Sequence, residues 1–470
     1  MFLRFIIIVV LLISLNPETN GQQQTDSLML YLELAAKNNP LVLQRYAEYQ
    51  AALEKVPQVG SLPDPELNTG VFLRPMELLN GKQLAEIQLM QMFPWFGTLN
   101  AAKDEMSLMA KSRYETFRDA KSLVFLEVQR TWYEMQKNFH SIRITGQNIE
   151  ILKALERLAL VRFRTSSTPG ASSVSSSEMP VSNPSENSTG SRGMQGMGNT
   201  SSAGSEPSVS MQDNSMDRPS GGSGLTDLYR IQIEIGDLEN NVALLRSLQI
   251  TITARFNSYL GRNAAFPVIL PDTMIADTSG LDLLSVPDNI LKSNPMLMML
   301  EYERQSFIAR EKMVRKMGFP MVGLGISYSV INKNEMSSSD MNGKDMVMPM
   351  VSVTLPVYRK KYKAMHREAV FMKSATEQNF NATANSLQTE YYQALQLYED
   401  ARRRIKLYAD QSLLSKKSLD IVINSFSVSG SGLADIFQIR RQNLDYEFKK
   451  IEATADINTA IAWLKRLGNL

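Results

Sequence analysis

Residues 223–228 read Ser-Gly-Leu-Thr-Asp-Leu, and residues 431–436, 208 positions later, read Ser-Gly-Leu-Ala-Asp-Ile. The dipeptide Asn39-Pro40 also returns, as Asn294-Pro295, at an offset of 255 residues. Motifs that recur in the same order indicate that the chain contains one structural unit twice. Because the two offsets differ by 47 residues, the first copy holds additional residues between its Asn-Pro and Gly-Leu motifs.

Length, charge and cysteine content exclude several classes of protein. The chain has 470 residues and a formal net charge of +2, which gives no reason to expect a nucleic-acid partner. Cysteine is absent, so disulfides, thiolate metal sites and cysteine nucleophiles are excluded. The histidines, His140 and His366, are expected on solvated helix faces and are too few for a histidine-rich zinc site. Because no phosphate-binding loop or complete nucleophile motif is present, we predict no enzyme and no cofactor.

The N-terminus has the pattern of a secretory signal peptide. Arg4 precedes an apolar run from Phe5 to Leu15, and small residues near Gly21 offer a cleavage site. A membrane anchor is the alternative, but this apolar run is too short to cross a bilayer. No cysteine follows the run, which excludes lipid attachment there. We therefore predict that residues 1–21 are a signal peptide and that the mature chain is exported.

The rest of the chain divides into two copies of one pattern. The first repeat spans residues 22–262, a proline-containing linker spans 263–287, and the second repeat spans 288–470. Each repeat is predicted to run from a helix through two strands into a long helix and a return helix. The predicted helices cover 27–56, 97–163, a return helix of about 36 residues that carries a seam from Leu228 to Tyr259, 288–317, a long stretch ending near 426, and 433–467. The predicted strands cover about 66–75, 83–93, 320–331 and 346–357.

The return helix of the first repeat carries a coiled-coil seam. Its apolar residues are spaced alternately by three and four for more than four heptads, with one polar interruption. An ordinary amphipathic helix on a globular core is the alternative, and the length of the helices favours the coiled coil. The return helix and the first helix together nearly match the long helix, so we expect them to pack along it end to end. The seam residues are Leu228, Ile231, Ile235, Leu238, Val242, Leu245, Gln249, Ile252, Phe256 and Tyr259.

The third predicted strand has the pattern of a membrane β-strand. Apolar residues such as Leu324 and Ile326 alternate with glycine and serine, which gives one apolar face and one small polar face. A half-buried strand of a soluble sheet has the same local pattern, but such long helices leave no obvious core for it to cover. Four strands cannot enclose a lumen, and open sheet edges are not tolerated in lipid. The membrane interpretation therefore requires several chains to share one barrel.

Together these features resemble the TolC-like family of outer-membrane efflux channels. The resemblance covers nearly the whole mature chain and rests on the duplicated element order, the Gly-Leu-x-Asp turns at 224–227 and 432–435, and Leu-Gly pairs at 260–261 and 467–468. It implies a mainly α-helical chain with membrane β-strands, in which a homotrimer forms a 12-stranded β-barrel continued by a helical tunnel across the periplasm. It also implies contact with outer-membrane lipid and assembly with a periplasmic adaptor and an inner-membrane pump. Some relatives carry a lipid on an N-terminal cysteine, a feature that this chain lacks.

The resemblance also implies a role for the repeated turns. In such channels the Gly-Leu-x-Asp turns lie at the periplasmic tips of the helical hairpins, where the adaptor docks. Glycine allows a tight reversal of the chain, and the aspartate can cap the following helix. The implied adaptor-docking residues are Gly224, Leu225, Asp227, Gly432, Leu433 and Asp435.

The additional residues of the first copy lie at about 166–222, in its hairpin tip. This insert is rich in serine, glycine, asparagine and proline and almost lacks large aliphatic residues, so it is predicted to be disordered. Methionine's usual role of filling a core does not apply there, although drift or low-complexity expansion also explains methionines in such a segment. Thioethers are soft ligands that select Cu(I) and similar ions. The candidate metal ligands are Met179, Met194, Met197, Met211 and Met216.

A second group of candidate metal ligands lies in the fourth strand. Met346, Met348 and Met350 are spaced by two and are predicted to share a face opposite the neighbouring valines. If the valines face lipid, the methionines face the lumen. The alternative is a strand that is apolar on both faces.

The sequence thus predicts an outer-membrane exit duct of a tripartite efflux pump, with its helical tunnel in the periplasm. The methionines favour passive conduction of Cu(I), Ag(I) or other heavy-metal ions. One alternative is a duct for drugs or other organic solutes. Another is a soluble periplasmic coiled-coil scaffold or adaptor whose strands form a small β-domain.

Overall fold

The computed structural model describes residues 28–78, 80–166, 224–277, 286–336, 340–429 and 433–469. The predicted signal peptide and nearly all of the methionine-containing insert lie outside these residues. The elements, in chain order, are α1 (Leu28–Asn38), α2 (Pro40–Gly60), β1 (Glu66–Leu78), β2 (Gly81–Phe93), α3 (Thr98–Ser166), α4 (Gly224–Tyr259), α5 (Val286–Ser293), α6 (Pro295–Met317), β3 (Met321–Asn332), β4 (Met346–Thr354), α7 (Arg359–Ser429) and α8 (Leu433–Gly468).

The described chain is mainly helical with a small antiparallel sheet, as the sequence predicted. The order helix, helix, strand, strand, long helix, return helix occurs twice. The 71 residues of α7 make a rod roughly 105 Å long at 1.5 Å per residue. Among the described helices, none is both long enough and apolar enough to cross a membrane.

The first helix of each repeat is broken where the sequence analysis predicted one continuous helix. The stretch predicted as one helix over 27–56 contains α1 and most of α2, and the stretch predicted over 288–317 contains the end of α5 and all of α6. Both breaks lie at the Asn-Pro dipeptide. Proline has no amide hydrogen to donate and disfavours a helical conformation in the residue before it, but it fits the first position of a new helix. The prediction was wrong because the spacing of alanines and leucines continues across the break.

The asparagine at each break joins three parts of its repeat. The Asn39 side-chain oxygen accepts a hydrogen bond from the Leu41 amide at 2.9 Å, and its Nδ2 donates to the Tyr259 carbonyl at 2.8 Å. Asn294 likewise accepts from the Met296 amide at 3.0 Å and donates to the Leu467 carbonyl at 3.1 Å. Both asparagines are buried, so each polar group needs its partner. The start of the second short helix is thereby tied to the end of the return helix.

Buried aromatic residues form the core of the first repeat near this junction. The rings of Tyr31 and Trp132 lie 5.3 Å apart, and that of Phe256 lies 5.1 Å from Tyr31 and 5.8 Å from Trp132. Phe256 is fully buried, and burying such a side chain contributes roughly 1.5–3 kcal/mol. The second repeat has an apolar cluster that includes Val286, Leu387 and Leu464. Each repeat thus packs its short helices against its long and return helices.

The described residues form two compact units. The larger comprises the chain up to Thr145 and from Asn241 onward, and the smaller comprises Gly146–Asn240. Within the smaller unit, Lys153 Nζ lies 3.2 Å from Glu239 Oε1, and Leu152 and Ile231 are buried. Every residue of the predicted α4 seam, from Leu228 to Tyr259, is buried or half-buried.

The four strands form one sheet in the order β1-β2-β3-β4, with every neighbouring pair antiparallel. The register shifts once between β1 and β2, and once between β2 and β3 next to Gln83. The first two strands extend beyond the predicted ranges toward their shared turn, where Gly81 adopts a φ of 131° that favours glycine. The strand β4 ends at Thr354, before the predicted position 357.

We predict that replacing Asn39 and Asn294 with alanine loosens both junctions. Loss of a helix cap costs about 1 kcal/mol and loss of a further hydrogen bond about 1 kcal/mol, so the local free energy of opening should fall by about 2 kcal/mol. Hydrogen exchange at the Leu41 and Met296 amides should accelerate by a factor of about 30. The Asn→Asp variants are the matched control, because aspartate keeps the cap but loses the Nδ2 donor, and they should show a smaller acceleration. Unchanged exchange in the alanine variants would contradict this role.

Candidate functional site

The sheet presents an apolar face to its surroundings. Ile326 in β3 is 56% exposed, Val351 in β4 is 70% exposed, and Leu324 and Leu89 are also exposed. The register places apolar residues of β3 beside apolar residues of β4, with Leu324 opposite Val351 and Val322 opposite Val353. This face is therefore a continuous exposed apolar surface across neighbouring strands.

On the opposite face of the sheet, the small polar residues of β3 are covered. Ser327 and Ser329 are only 1% and 4% exposed. The Ser327 hydroxyl donates to Glu86 Oε1 at 2.7 Å, and Gln83 Nε2 donates to the Ser329 hydroxyl at 3.1 Å. The small side chains of β3 thus lie beneath polar side chains from β2.

This distribution is the inverse of that expected for a sheet of a soluble protein. A one-sided antiparallel sheet in water buries its apolar face and exposes its polar face. Large exposed apolar patches mark contact with a membrane or another protein. The alternation predicted from the sequence of β3 is present, and the apolar residues of this strand are the exposed ones.

Aromatic residues lie at the end of the sheet where the strands connect to the helices. Strands β2 and β4 end there and β3 begins there, with Trp95 and Phe96 after β2, Phe319 before β3, and Tyr358 after β4. The Trp95 and Phe319 rings stack with centroids 5.1 Å apart, and Phe96 and Tyr358 are largely exposed. Belts of aromatic residues are typical of the boundary between a bilayer and water. The sequence analysis missed this group, because its members become neighbours only when the strands pair.

The three methionines predicted as ligands in β4 lie on the polar face of the sheet. Met346, Met348 and Met350 are opposite Ser329, Ser327 and Gly325 of β3, whereas Val347 is opposite Tyr328. Met346 and Met348 are exposed and Met350 is half-buried. The structure adds two methionines that the sequence analysis did not select. Met90 and Met92 of β2 lie on the same face, opposite Gly325 and Gly323.

The predicted docking turns lie at the beginnings of the return helices. Gly224 is the first residue of α4, Leu433 is the first of α8, and Gly432 lies outside the described residues. The aspartates do not occupy the cap position that the sequence analysis proposed. Asp435 is exposed in the first turn of α8, where a carboxylate is favoured by the positive end of the helix dipole. Asp227 and Leu225 fall in the first turn of α4. The five methionines of the insert lie outside the described residues.

Burial shifts the pKa of Glu105 and that of His140, both in the described helices. Burial raises the pKa of the Glu105 carboxyl, and Arg310, whose guanidinium lies 3.9 Å away, opposes that rise. His140 is buried and not on a solvated face as predicted, and its burial lowers its pKa. In the part of the chain that the structure describes, no three His, Cys, Asp or Glu residues lie together as a metal site.

No protein-family model matches the sequence, and no curated protein matches it. Solved structures do match over 94% of the chain. CusC, described in relation to transmembrane channel formation, is 11% identical, with a TM-score of 0.67 and 91% of its chain covered. The outer-membrane channel OprN is 13% identical, with a TM-score of 0.68 and 89% covered. The MtrE outer membrane channel of Neisseria gonorrhoeae is 14% identical, with a TM-score of 0.65 and 88% covered. The chain has the fold of these outer-membrane channels.

Proposed function

We propose that this protein is the outer-membrane exit duct of a tripartite efflux pump. The observation that carries the proposal is a sheet whose apolar face is exposed, whereas the small polar residues of β3 on its other face are covered. Lipid on one side and a water-filled lumen on the other satisfy both faces. The fold shared with outer-membrane channels supports the same assignment. The protein conducts its cargo passively and is not an enzyme.

The duct is a homotrimer. Among the described strands, β1 pairs only with β2 and β4 only with β3, so the sheet has two open edges. Unpaired backbone groups cost several kcal/mol each in lipid, so these edges must pair with other chains. Three copies of a four-stranded sheet give the 12 strands that the family resemblance implies. A soluble scaffold, the alternative from another class, leaves the exposed apolar face in water.

The long helices form the periplasmic part and receive an adaptor protein at their tips. The two Gly-Leu-x-Asp motifs, at 224–227 and 432–435, coincide with the beginnings of α4 and α8. The adaptor binds around Leu225 and Leu433, with Gly224, Asp227, Gly432 and Asp435 shaping the turns. An inner-membrane pump supplies the cargo through that adaptor.

The cargo is Cu(I) or Ag(I). Support comes from two groups of methionines. The five of the insert lie in a segment whose composition predicts no core, and the others lie on the polar face of β4. Thioether sulfur suits soft monovalent ions and is a poor ligand for Zn²⁺ or Mg²⁺. Structural similarity does not choose the cargo, because CusC is one of several channels with comparable TM-scores. Drugs and other organic solutes remain the second candidate cargo.

Cross-linking of the full-length protein, extracted from outer membranes in detergent, tests the assembly. We expect covalent products that stop at three chains.

The matched pair Val351→Lys and Met348→Lys tests the orientation of the sheet, because both side chains are exposed but lie on opposite faces. A lysine facing lipid costs roughly 2–4 kcal/mol at the membrane midplane, so Val351→Lys should reduce the assembled fraction. Met348→Lys should assemble normally. A monomer that stays soluble without detergent and tolerates both lysines would be the scaffold instead.

Docking is tested by replacing Leu225 and Leu433 with aspartate. A charged side chain in place of the apolar one at both tips should abolish export while trimers still form, because neither residue lies in the sheet. Replacement of both by methionine is the matched control, since it keeps an apolar side chain of similar volume. Export is measured as survival on copper or silver in a host that lacks its own efflux channel. Survival of the aspartate variant at wild-type levels would move the docking site elsewhere.

The insert is tested by changing its five methionines to leucine in the full-length chain. A segment whose composition predicts disorder must lose entropy when it binds, so capture by these thioethers should be weak and reversible. We expect tolerance to copper and silver to fall, with trimers and tolerance to organic solutes unchanged. Synthetic residues 175–220 should bind Ag(I) and lose that binding after the same substitutions. Equal metal tolerance with and without the methionines would favour organic solutes as the cargo.

A further inference from the structure

We propose that the polar face of the sheet contains a binding site for a soft monovalent cation, Cu(I) or Ag(I). Its ligands are the thioether sulfurs of Met90 and Met92 from β2 and Met350 from β4. Met350 is distant in sequence from the other two, and the pairing of β2 and β4 with β3 places all three beside Gly323 or Gly325. The role of this site in transport rests on the proposed function, whereas ion binding by the sheet stands on the geometry alone.

The strand register brings the methionines together. Met90 lies opposite Gly325, and Gly325 lies opposite Met350 on its other side. Two residues along β3, Gly323 has Met92 of β2 opposite it on one side and Ser352 of β4 opposite it on the other. The side chains of β2 and β4 that flank these glycines have no β3 side chain between them. The glycines therefore open a shallow trough across the middle strand.

The sulfurs fill that trough. Measured from the position that a Gly323 Cβ would take, Met92 Sδ lies 2.6 Å away and Met90 Sδ 3.2 Å away. Both sulfurs thus lie close to the position that a Gly323 Cβ would take. The distance between the two sulfurs cannot exceed the sum of their distances from that position. From the corresponding position at Gly325, Met90 Sδ lies 3.1 Å away. A single ion can be reached by both thioethers through small rotations of the flexible methionine side chains.

Polar groups from the neighbouring strands already point at these sulfurs. Gln88 Nε2 donates to Met350 Sδ at 3.7 Å, and the Ser352 hydroxyl donates to Met92 Sδ at 3.6 Å. Sulfur is a weak acceptor, so these contacts hold the thioethers in place and yield readily to a cation. Glu86 lies on the same face, and its Oε1 accepts a hydrogen bond from Ser327, the next residue of β3 on that face after Gly325.

The placement of methionine in the sheet is selective. All five methionines of β2 and β4 lie on the polar face, beside glycine, serine, glutamine and glutamate. The apolar face of the same strands carries Ile87, Leu89, Val347 and Val351 instead. Side chains that only filled apolar space would be expected on the exposed apolar face. Neutral thioethers without thiolate or imidazole partners favour Cu(I) and Ag(I) over Zn²⁺.

Oxidation footprinting of the full-length trimer tests the site residue by residue. A thioether that binds a metal ion through its lone pair resists conversion to the sulfoxide. With silver nitrate present, peroxide should oxidise Met90, Met92 and Met350 at least roughly tenfold more slowly, as read by peptide mass spectrometry. Met29 and Met336, which are highly exposed, should oxidise at the same rate with and without silver. Zinc sulfate should protect none of them.

Two sets of variants show whether the ligands act together. The Met90→Leu/Met92→Leu variant should lose the silver protection of Met350, whereas the control Met29→Leu/Met336→Leu should keep it. Gly323→Ala should weaken protection, because its Cβ displaces the flexible Met92 sulfur and Ser352 hydroxyl. Gly70→Ala in β1 is the matched control, since a Cβ there meets nothing within 4 Å.

Each outcome decides between a shared site and independent side chains. Protection of Met350 that persists in the double leucine variant, or equal protection of Met336, would overturn the proposal. Failure of export with footprinting intact would instead contradict the proposed function and leave the ion site standing. Loss of the footprint in a chain that still exports metal would remove the site and leave the duct.

Discussion

The exposed apolar face of a four-stranded sheet with two open edges is the constraint on which the rest of this protein depends. Water does not favour the apolar face, and lipid does not tolerate the open edges. Both conditions are met when the edges of several copies pair in a bilayer and the polar face lines an enclosed space. The serines and glycines of β3 fit that enclosed side, because they leave room for the polar side chains of β2.

The repeated asparagine explains how the helices of each copy are held in register. Asn39 and Asn294 begin the second short helix and bind the carbonyls of Tyr259 and Leu467, which end the return helices. The donors differ by 255 positions and the acceptors by 208, the same two offsets that the sequence motifs show. The two repeats therefore share this hydrogen bond as well as their sequence motifs. Two shorter helices packed end to end along a long helix need such a fixed point, since either could otherwise slide along it.

Sequence reasoning succeeded where the pattern is local and periodic. The alternation of β3, the seam of α4 and the order of elements all follow from neighbours two to four residues apart. It missed the helix breaks, although the Asn-Pro dipeptide was visible, because alanines and leucines at helical spacing continue on both sides of the first break. It also missed Met90 and Met92. Their significance depends on the pairing of β2 with β3, residues more than 200 positions apart, and no local pattern specifies that register.

The chemistry of the methionines agrees with the needs of a passive duct. A duct must bind its cargo strongly enough to admit it and weakly enough to release it, a requirement shared with ion channels. Thiolates would hold Cu(I) or Ag(I) tightly, and the chain has no cysteine. Neutral thioethers bind soft ions without the added attraction of a charged ligand, and their flexible side chains exchange partners readily. Gly323 and Gly325 have no side chains, so the methionine sulfurs lie close to the polar face of β3. No further side chains of β3 then narrow the space beside that face. In the proposed duct, a trough of this kind would select the ion by ligand softness and leave its passage to diffusion.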